Sequence, residues 1–378
     1  MTKQPDTLLD SEKLLRGYYE ASNLPKDFSS DRIVPDFGFN VLNAMGLLYT
    51  PVVDKHYLSM GKKRPTWPNN KPFAVCLTHD VDRVLPNPPK KRLWKRQIQL
   101  SNPQNPWEKA RRTLGNMAYA VYSPPSPENP LHTYEKWLEI EKKVNGHSTF
   151  FFWPGFSNVK KHHLTDCLYD LNDPVVFDGQ KCEVAEMIQE IDHRGWEIGL
   201  HASWYSYDNE DALKGQKETL EEVLNHEVQS VRQHCLHYDI RVTPSVHSKA
   251  KLMYDSTLGF NDNVGFRFGT CYPWHIIDLR TDRETSILEI PLHVQDSAML
   301  ATNKGLRLDE EMAFQYVVQI SESVKKVGGV LTLLWHPHYM IEPTWWNLYL
   351  RTLQYLKERD AWFASVNEIG EWWKTIIK

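Results

Sequence analysis

The chain of 378 residues is long enough for two domains or for one large β/α barrel. Its composition, with 41% hydrophobic, 24% charged and 12% aromatic residues, is that of a folded protein. The net charge of -4 gives no electrostatic basis for binding nucleic acid in bulk. No stretch approaches the roughly 18 consecutive apolar residues of a membrane helix, and the first ten residues lack the apolar core of a signal peptide. We therefore expect a cytoplasmic protein.

The cysteines predict neither a disulfide framework nor a thiolate zinc site. They are odd in number and none of them has a Cys-x-x-Cys spacing. The five residues are Cys76, Cys167, Cys182, Cys235 and Cys271.

Residues 1–70 are predicted to form an N-terminal extension that packs on the main domain, residues 71–378. Helical signals from Glu12 to Asn23 lie within this extension. The main domain carries a basic insertion near residues 86–130, in which Lys90 to Arg112 include eight Lys or Arg residues against one Glu. We expect a solvated helix followed by a Pro-rich loop. The alternative is a surface for an anionic membrane or a lipid-linked glycan.

The segment Phe73-Ala-Val-Cys-Leu-Thr-His-Asp80-Val-Asp82 is an apolar run that ends in two carboxylates. It predicts a strand buried on both faces, as in parallel sheets. Asp80 and Asp82 are two positions apart, so an extended backbone directs both to the same side. Carboxylates at the end of a buried strand need a counterion, a proton or a metal, because burying them unpaired is too costly. The alternative is a pair of exposed turn aspartates.

After residue 130, amphipathic helices alternate with apolar strands. The predicted strands are Ser148–Trp153, Trp196–His201, Ser230–Arg232, Ile287–Leu292 and Val330–Trp335, and the predicted helices are Thr133–Val144, Cys182–His193, Glu210–Asn225, Leu308–Val327 and two around Ala361. This alternation predicts parallel strands with right-handed crossovers. About seven such units favour an α/β fold in the form of a distorted (β/α) barrel, with its chemistry at the strand C-termini.

Polar residues follow the C-terminal ends of four predicted strands, where a barrel would bring them to one rim. They are Asp80 and Asp82, His201, Arg232 with His234, and His336. Oxygen and nitrogen donors of this kind suit zinc, cobalt or another divalent metal in an open, catalytic site. The recurrence at four strand ends therefore predicts a metal centre at the rim.

These blocks, in this order, resemble the motifs of the NodB-homology polysaccharide deacetylase superfamily, which are metal-dependent hydrolases with a distorted (β/α) barrel. The similarity runs from about Lys71 to the C-terminus. It is closest to the branch found in bacterial surface-polysaccharide clusters, which shares a block like Tyr254-Asp-Ser-Thr-Leu-Gly-Phe260. The matching motifs are Thr78-His-Asp-Val-Asp82, Gly199-Leu-His-Ala-Ser-Trp-Tyr205, Val231-Arg-Gln-His234, Glu289-Ile-Pro-Leu-His-Val-Gln-Asp296 and Leu333-Leu-Trp-His336.

The resemblance implies a role for each matching residue. Asp80 is implied to be the general base, and Asp82 and His201 are implied to be metal ligands. Arg232 would pair with Asp80 and orient it. His336 would be the general acid.

One motif departs from the family pattern, because Tyr205 stands where the second histidine of His-x-x-x-His belongs. We expect His234 to supply the missing ligand, since it is two positions from Arg232 on an extended segment and shares its face. The alternative is that His234 only lines the pocket and the metal site is incomplete. Asp296 is expected to pair with His336 and to raise its pKa, unless it is a turn residue.

The resemblance implies a zinc-dependent carbohydrate N-deacetylase that acts on an N-acetylated amino sugar or glycan intermediate of polysaccharide biosynthesis. Two alternatives remain open, namely a sugar-binding barrel without turnover and a C–N hydrolase of another amide, such as a formamide or a cyclic imide. Aromatic residues near the predicted strand ends could stack on sugar rings or could serve packing. They are Trp153, Trp204, Tyr205, Trp274, Trp335 and Tyr339.

Overall fold

The computed structural model describes residues 9–24, 40–84, 91–93, 95, 134–301, 305–339 and 341–376. Apart from residues 91–93 and 95, the predicted basic insertion near 86–130 lies outside the described residues. The proposed role of that insertion at an anionic membrane or a lipid-linked glycan therefore stays a prediction.

The architecture is a curled, mostly parallel sheet of ten strands with helices packed against it. Neighbours follow the order β10-β11-β1-β2-β5-β6-β7-β9-β8, and β12 also pairs with β1. All described pairs in this sheet are parallel except β8 with β9. The strands are β1 (Ala74–Val81), β2 (Thr149–Phe152), β3 (Pro174–Phe177), β4 (Gln180–Glu183), β5 (Glu197–Ala202), β6 (Ser230–Gln233), β7 (Tyr254–Asp255), β8 (Trp274–Asp278), β9 (Arg283–Glu289), β10 (Val294–Gln295), β11 (Val330–Leu334) and β12 (Trp362–Ala364).

The α-helices of the described residues are short in the N-terminal part and longer between the strands. They are α1 (Ser11–Leu15), α2 (Tyr18–Asn23), α3 (Val41–Ala44), α4 (Val52–Ser59), α5 (Tyr134–Lys142), α6 (Val184–His193), α7 (Glu210–Leu224), α8 (Thr243–Lys249), α9 (Asp296–Leu300), α10 (Glu310–Val327), α11 (Pro343–Glu358) and α12 (Val366–Ile376). Among the described residues, no helix has both the length and the apolar content needed to cross a membrane.

The predicted distorted (β/α) barrel is confirmed, with more strands than the seven expected. The extra ones are short, such as β7 and β10 with two residues each. Strands of this length show no hydrophobic period, and their pairing is set by distant neighbours. The segment around Ala361, predicted as helical, contains the strand β12 between α11 and α12.

Alternation along β1 separates the two sides of the sheet. Val75 and Leu77 belong to the large core that includes most of the helices, whereas Ala74 and Cys76 belong to a second core with Phe151 and residues of α12. Because side chains alternate in a strand, Thr78 and Asp80 continue the second side. Asp80 therefore lies on the face of β1 opposite to Val75 and Leu77.

A buried carboxylate fixes α5 to the outer side of β1. The side chain of Glu141 is fully buried and its oxygens lie 2.7 Å from both His79 Nε2 and Trp196 Nε1. It also accepts hydrogen bonds from Tyr349 Oη and the Ser148 backbone N–H. The four contacts satisfy a carboxylate that would otherwise be costly to bury.

Residues of the N-terminal part contact the loop that precedes β8. Asp54 is fully buried and accepts hydrogen bonds from Thr270 Oγ1 and from the backbone N–H of Cys271. Glu20 forms a double hydrogen bond with the guanidinium of Arg267.

Candidate functional site

The sequence-predicted residues lie at the C-terminal ends of neighbouring parallel strands. Asp80 is in β1, His201 and Arg232 are register partners in β5 and β6, and His234 follows β6 directly. His336 lies two residues beyond β11, and Asp296 begins α9 directly after β10. Parallel pairing brings these ends to one rim, so residues far apart in sequence meet in one site.

Asp80 and Arg232 form a buried ion pair at the base of the site. Arg232 is fully buried, and its Nη1 lies 3.1 Å from Asp80 Oδ1. The same guanidinium donates to Thr78 Oγ1 and to both the carbonyl and the hydroxyl oxygen of Ser256, each at 2.7 Å. Its carbon lies 4.6 Å from the ring centre of Phe151. Because all three guanidinium nitrogens are engaged, the group holds Asp80 in one orientation.

Three atoms that could bind a metal lie together next to this ion pair. His201 Nε2 lies 3.2 Å from Asp82 Oδ1, and His234 Nδ1 lies 3.6 Å from the same oxygen. The two imidazole nitrogens are 3.0 Å apart. Burial opposes ionisation of Asp82, but the hydrogen bond with His201 and the charges of His234 and His336 outweigh it and hold its pKa well below the ordinary value. The carboxylate therefore stays charged.

The outer nitrogens of the two imidazoles determine what the inner ones present. His201 Nδ1 lies 3.0 Å from the Arg232 carbonyl oxygen, and His234 Nε2 lies 3.0 Å from the Thr165 carbonyl oxygen. A carbonyl oxygen only accepts, so each outer nitrogen carries the hydrogen. Once the proton between these atoms is lost, as metal binding requires, His201 Nε2 and His234 Nδ1 present lone pairs to each other and to the Asp82 carboxylate.

Three facing acceptors repel one another unless a proton or a cation lies between them. Zinc binds nitrogen and oxygen at about 2.0–2.1 Å in tetrahedral geometry, which places its ligand atoms roughly 3.3 Å apart. The observed separations of 3.2, 3.6 and 3.0 Å match this value. Hydrogen bonds from the outer nitrogens to carbonyls are also the usual support of metal-binding histidines. The residues therefore fit a divalent metal.

His336 lies on the opposite side of Asp82. Its Nδ1 is 2.6 Å from Asp296 Oδ1, and its backbone N–H donates to Asp296 Oδ2 at 2.7 Å. Burial lowers the pKa of His336, but the fully buried Asp296 carboxylate outweighs it and raises the pKa to about 9. The free Nε2 is 3.8 Å from Asp82 Oδ2 and so faces the donor atoms.

The ring of Tyr205 packs against Lys161 and lies near His163. Its ring centre is 3.5 Å from Lys161 Nζ and 6.0 Å from the ring of His163. Of the predicted sugar-stacking residues, Trp153, Trp204 and Trp335 are fully buried and serve packing. Tyr205, Trp274 and Tyr339 are partly exposed.

Cys167 lies at the site, although the sequence analysis did not predict it there. Its Sγ lies 4.0 Å from Asp82 Oδ1, and ligand atoms of Asp82, Cys167 and His234 lie within 4.8 Å of one another. Burial raises the pKa of this thiol well above its ordinary value. It lies in the irregular segment between β2 and β3, and no spacing in the sequence links it to the rim. Ser256 was part of a recognised block, but its contact with Arg232 was not foreseen.

Comparison with known proteins identifies the fold. No protein-family model and no curated protein matches the sequence. A protein of Mycobacterium smegmatis assigned by name to the polysaccharide deacetylases is similar in structure, with a TM-score of 0.53, 20% identity and coverage of 83% of this chain and 94% of that one. A probable polysaccharide deacetylase from Pseudomonas aeruginosa PAO1 has a TM-score of 0.51, 14% identity and coverage of 83% and 95%.

A third solved structure, named PuuE allantoinase, has a TM-score of 0.51, 14% identity and coverage of 83% of this chain and 94% of the other. The described chain thus has the fold of the solved polysaccharide deacetylases, as the motif resemblance implied.

Proposed function

We propose that this chain is a metal-dependent hydrolase that removes the N-acetyl group from an amino sugar or glycan intermediate of polysaccharide biosynthesis. The observation that carries the proposal is the set of three facing acceptors on Asp82, His201 and His234. A paired carboxylate on one side and a paired imidazole on the other complete a base and an acid around it. The motif resemblance and the shared fold support the reaction class.

Asp82, His201 and His234 would hold the metal, and their oxygen and nitrogen donors suit zinc. When bound, such a metal polarises the amide carbonyl and promotes ionisation of water at neutral pH. The two histidines are already oriented for this by the carbonyls of Arg232 and Thr165. Little reorganisation of the side chains would be needed on binding.

Asp80 would act as the general base. Arg232 engages its Oδ1, and its Oδ2 lies 3.9 Å from His201 Nε2, on the side of the donor atoms. One oxygen is thus fixed while the other faces the position where water would be activated. A base held in this way accepts a proton without first changing its rotamer.

His336 would be the general acid that protonates the leaving amine. Asp296 accepts from both its Nδ1 and its backbone N–H, so the ring is fixed with Nε2 toward the site. An adjacent carboxylate favours the imidazolium, which is the form that can donate a proton. The proposed base and the proposed acid are thus each held by a partner of opposite charge, Arg232 and Asp296.

Of the partly exposed predicted aromatics, Tyr339 lies next to a proposed catalytic residue. Tyr339 follows His336 closely, with the two ring centres 5.7 Å apart. A flat aromatic face next to the acid would orient the sugar that carries the leaving amine.

The test combines metal content with acetate release. Protein purified without chelator should bind about one equivalent of zinc or cobalt and should release acetate from N-acetylated amino-sugar oligosaccharides, and chelation should abolish the release. Asp80→Asn should lose at least 100-fold in rate with unchanged metal content, because a general base typically contributes this much. The exposed variant Asp282→Asn is the matched control. Metal-free protein that still releases acetate would refute the metal-dependent mechanism.

The same assay separates the alternative functions. Metal binding with hydrolysis of a formamide or a cyclic imide, but not of N-acetyl sugars, would retain the chemistry and change the substrate. Sugar binding without any release would favour a non-catalytic barrel. His234→Ala should reduce bound metal severalfold, and unchanged stoichiometry would remove His234 from the ligand set.

A further inference from the structure

We propose that Cys167 is a fourth protein ligand of the metal, so that the centre is a Cys-Asp-His-His site. The inference rests on the proposed function in that it assumes the metal at Asp82, His201 and His234. It adds a thiolate that the spacing of the cysteines did not indicate, and it limits the metal to one that binds sulfur.

Cys167 lies next to the proposed metal ligands. Cys167 is buried, with 4% of its surface exposed. Its Sγ lies 4.0 Å from Asp82 Oδ1, which is the oxygen that also faces the two imidazoles. Ligand atoms of Asp82, Cys167 and His234 fall within 4.8 Å of one another. A tetrahedral zinc with sulfur at about 2.3 Å and oxygen at about 2.0 Å separates the two by roughly 3.5 Å, so a shift of a few tenths of an ångström suffices.

Residues on both sides of Cys167 are hydrogen-bonded to elements of the site. The carbonyl of Thr165 accepts from His234 Nε2 at 3.0 Å. Asp166 accepts the backbone N–H of Trp204. Tyr169 Oη lies 2.9 Å from the Val81 carbonyl and accepts from the Trp153 N–H. The segment 165–169 is thus tied to β1, to the end of β2, to the loop after β5 and to a metal donor, which leaves the thiol little freedom to move away.

The chemistry of the Cys167 thiol also suits a metal ligand. In the absence of a metal, the contact is a thiol donating weakly to a carboxylate. When a Zn–S bond forms, the thiol proton is released to solvent and the sulfur binds as thiolate. Thiolates select zinc or cobalt over magnesium and manganese. With four protein ligands, such a centre would need a fifth coordination position for the water of the proposed hydrolysis.

X-ray absorption of the zinc-loaded protein tests the proposal directly. The wild type should show one sulfur at about 2.3 Å in addition to nitrogen and oxygen at about 2.0–2.1 Å. Cys167→Ser should lose the sulfur shell and bind zinc at least tenfold more weakly in a chelator competition. Cys182→Ser, a partly exposed cysteine of β4, is the matched control and should leave both unchanged. Cobalt loading should give the near-ultraviolet thiolate charge-transfer band in the wild type and in Cys182→Ser only.

The outcomes distinguish this inference from the function on which it rests. Bound zinc with only nitrogen and oxygen neighbours would overturn the thiolate and leave the deacetylase proposal standing. A sulfur shell that persists in Cys167→Ser but disappears in Cys235→Ser would assign the thiolate to the residue next to His234 and would equally overturn it. A protein that takes up neither zinc nor cobalt would overturn both proposals. The wild-type spectrum shows whether any sulfur binds the metal even where a variant fails to fold, and the Cys167→Ser and Cys235→Ser variants assign that sulfur to one residue.

Discussion

The buried ion pair of Arg232 and Asp80 is expected to show a large coupling energy. Arg232→Met leaves the Asp80 carboxylate, which is 3% exposed, without a cation. Loss of one partner of a buried pair costs about 3–5 kcal/mol. Asp80→Asn should cost less, about 1–3 kcal/mol, because the guanidinium keeps its acceptors on Thr78 and Ser256.

The double variant should therefore be less destabilised than the sum of the two single variants by about 1–3 kcal/mol, within the range measured for contacting residues. Denaturant unfolding of the chelated protein, followed by tryptophan fluorescence, gives the four free energies of the cycle. The pair Arg241–Asp239, in which the arginine is about one-third exposed, is the control and should couple by no more than about 1 kcal/mol. Additivity within about 0.5 kcal/mol for Arg232 and Asp80 would refute the buried pair.

Three further predictions concern the scaffold. Burial raises the pKa of Asp54 to about 6, so the contribution of the protonated side chain to stability is complete below about pH 4 and is lost as the pH rises through 6. The free energy of unfolding should fall by about 3 kcal/mol across this range. A flat pH profile identical to that of Asp54→Asn would contradict this prediction. Gly199→Ala should cost about 1–3 kcal/mol by unfolding assay, because the new Cβ would lie 2.6 Å from Phe151; an unchanged midpoint would show that the ring can move. Glu141→Gln replaces one carboxylate oxygen, which accepts hydrogen bonds from groups that include His79, by an amide nitrogen that donates. The free energy of unfolding should fall by about 3–5 kcal/mol. A thermal midpoint within 1 °C of the parent would exclude such a loss.

The sequence predicted the barrel and the rim because both depend on local patterns. Buried parallel strands appear as apolar runs, and the residue that ends such a run lies at the functional edge. Asp80, His201 and His336 could therefore be placed before any coordinates. Short strands such as β7 and β10 could not, since two residues show no period.

Cys167 could not be predicted for a different reason. Its position is set by contacts that join residues far apart in sequence, such as the Thr165 carbonyl with His234, 69 positions away. An irregular segment has no period from which the direction of a side chain can be read. A thiolate site is recognised in a sequence from paired cysteines, whereas here a single cysteine lies beside an acidic and an imidazole side chain.

The place of the missing histidine in the second motif can also be argued from the backbone. Gln233 is extended, with φ of -68° and ψ of 133°, and directs His234 toward His201; the following Cys235 and Leu236 then adopt positive φ values of 55° and 51°. Non-glycine residues rarely adopt this conformation, which costs of order 1–3 kcal/mol and is often found at functional sites.

Position 205 lies elsewhere, with its ring against Lys161. Tyr205→His in a His234→Ala background should therefore not restore metal binding, although it restores the His-x-x-x-His spacing. Recovery of a full equivalent of zinc in that double variant would show that residue 205 reaches the ion and that His234 is dispensable as a ligand.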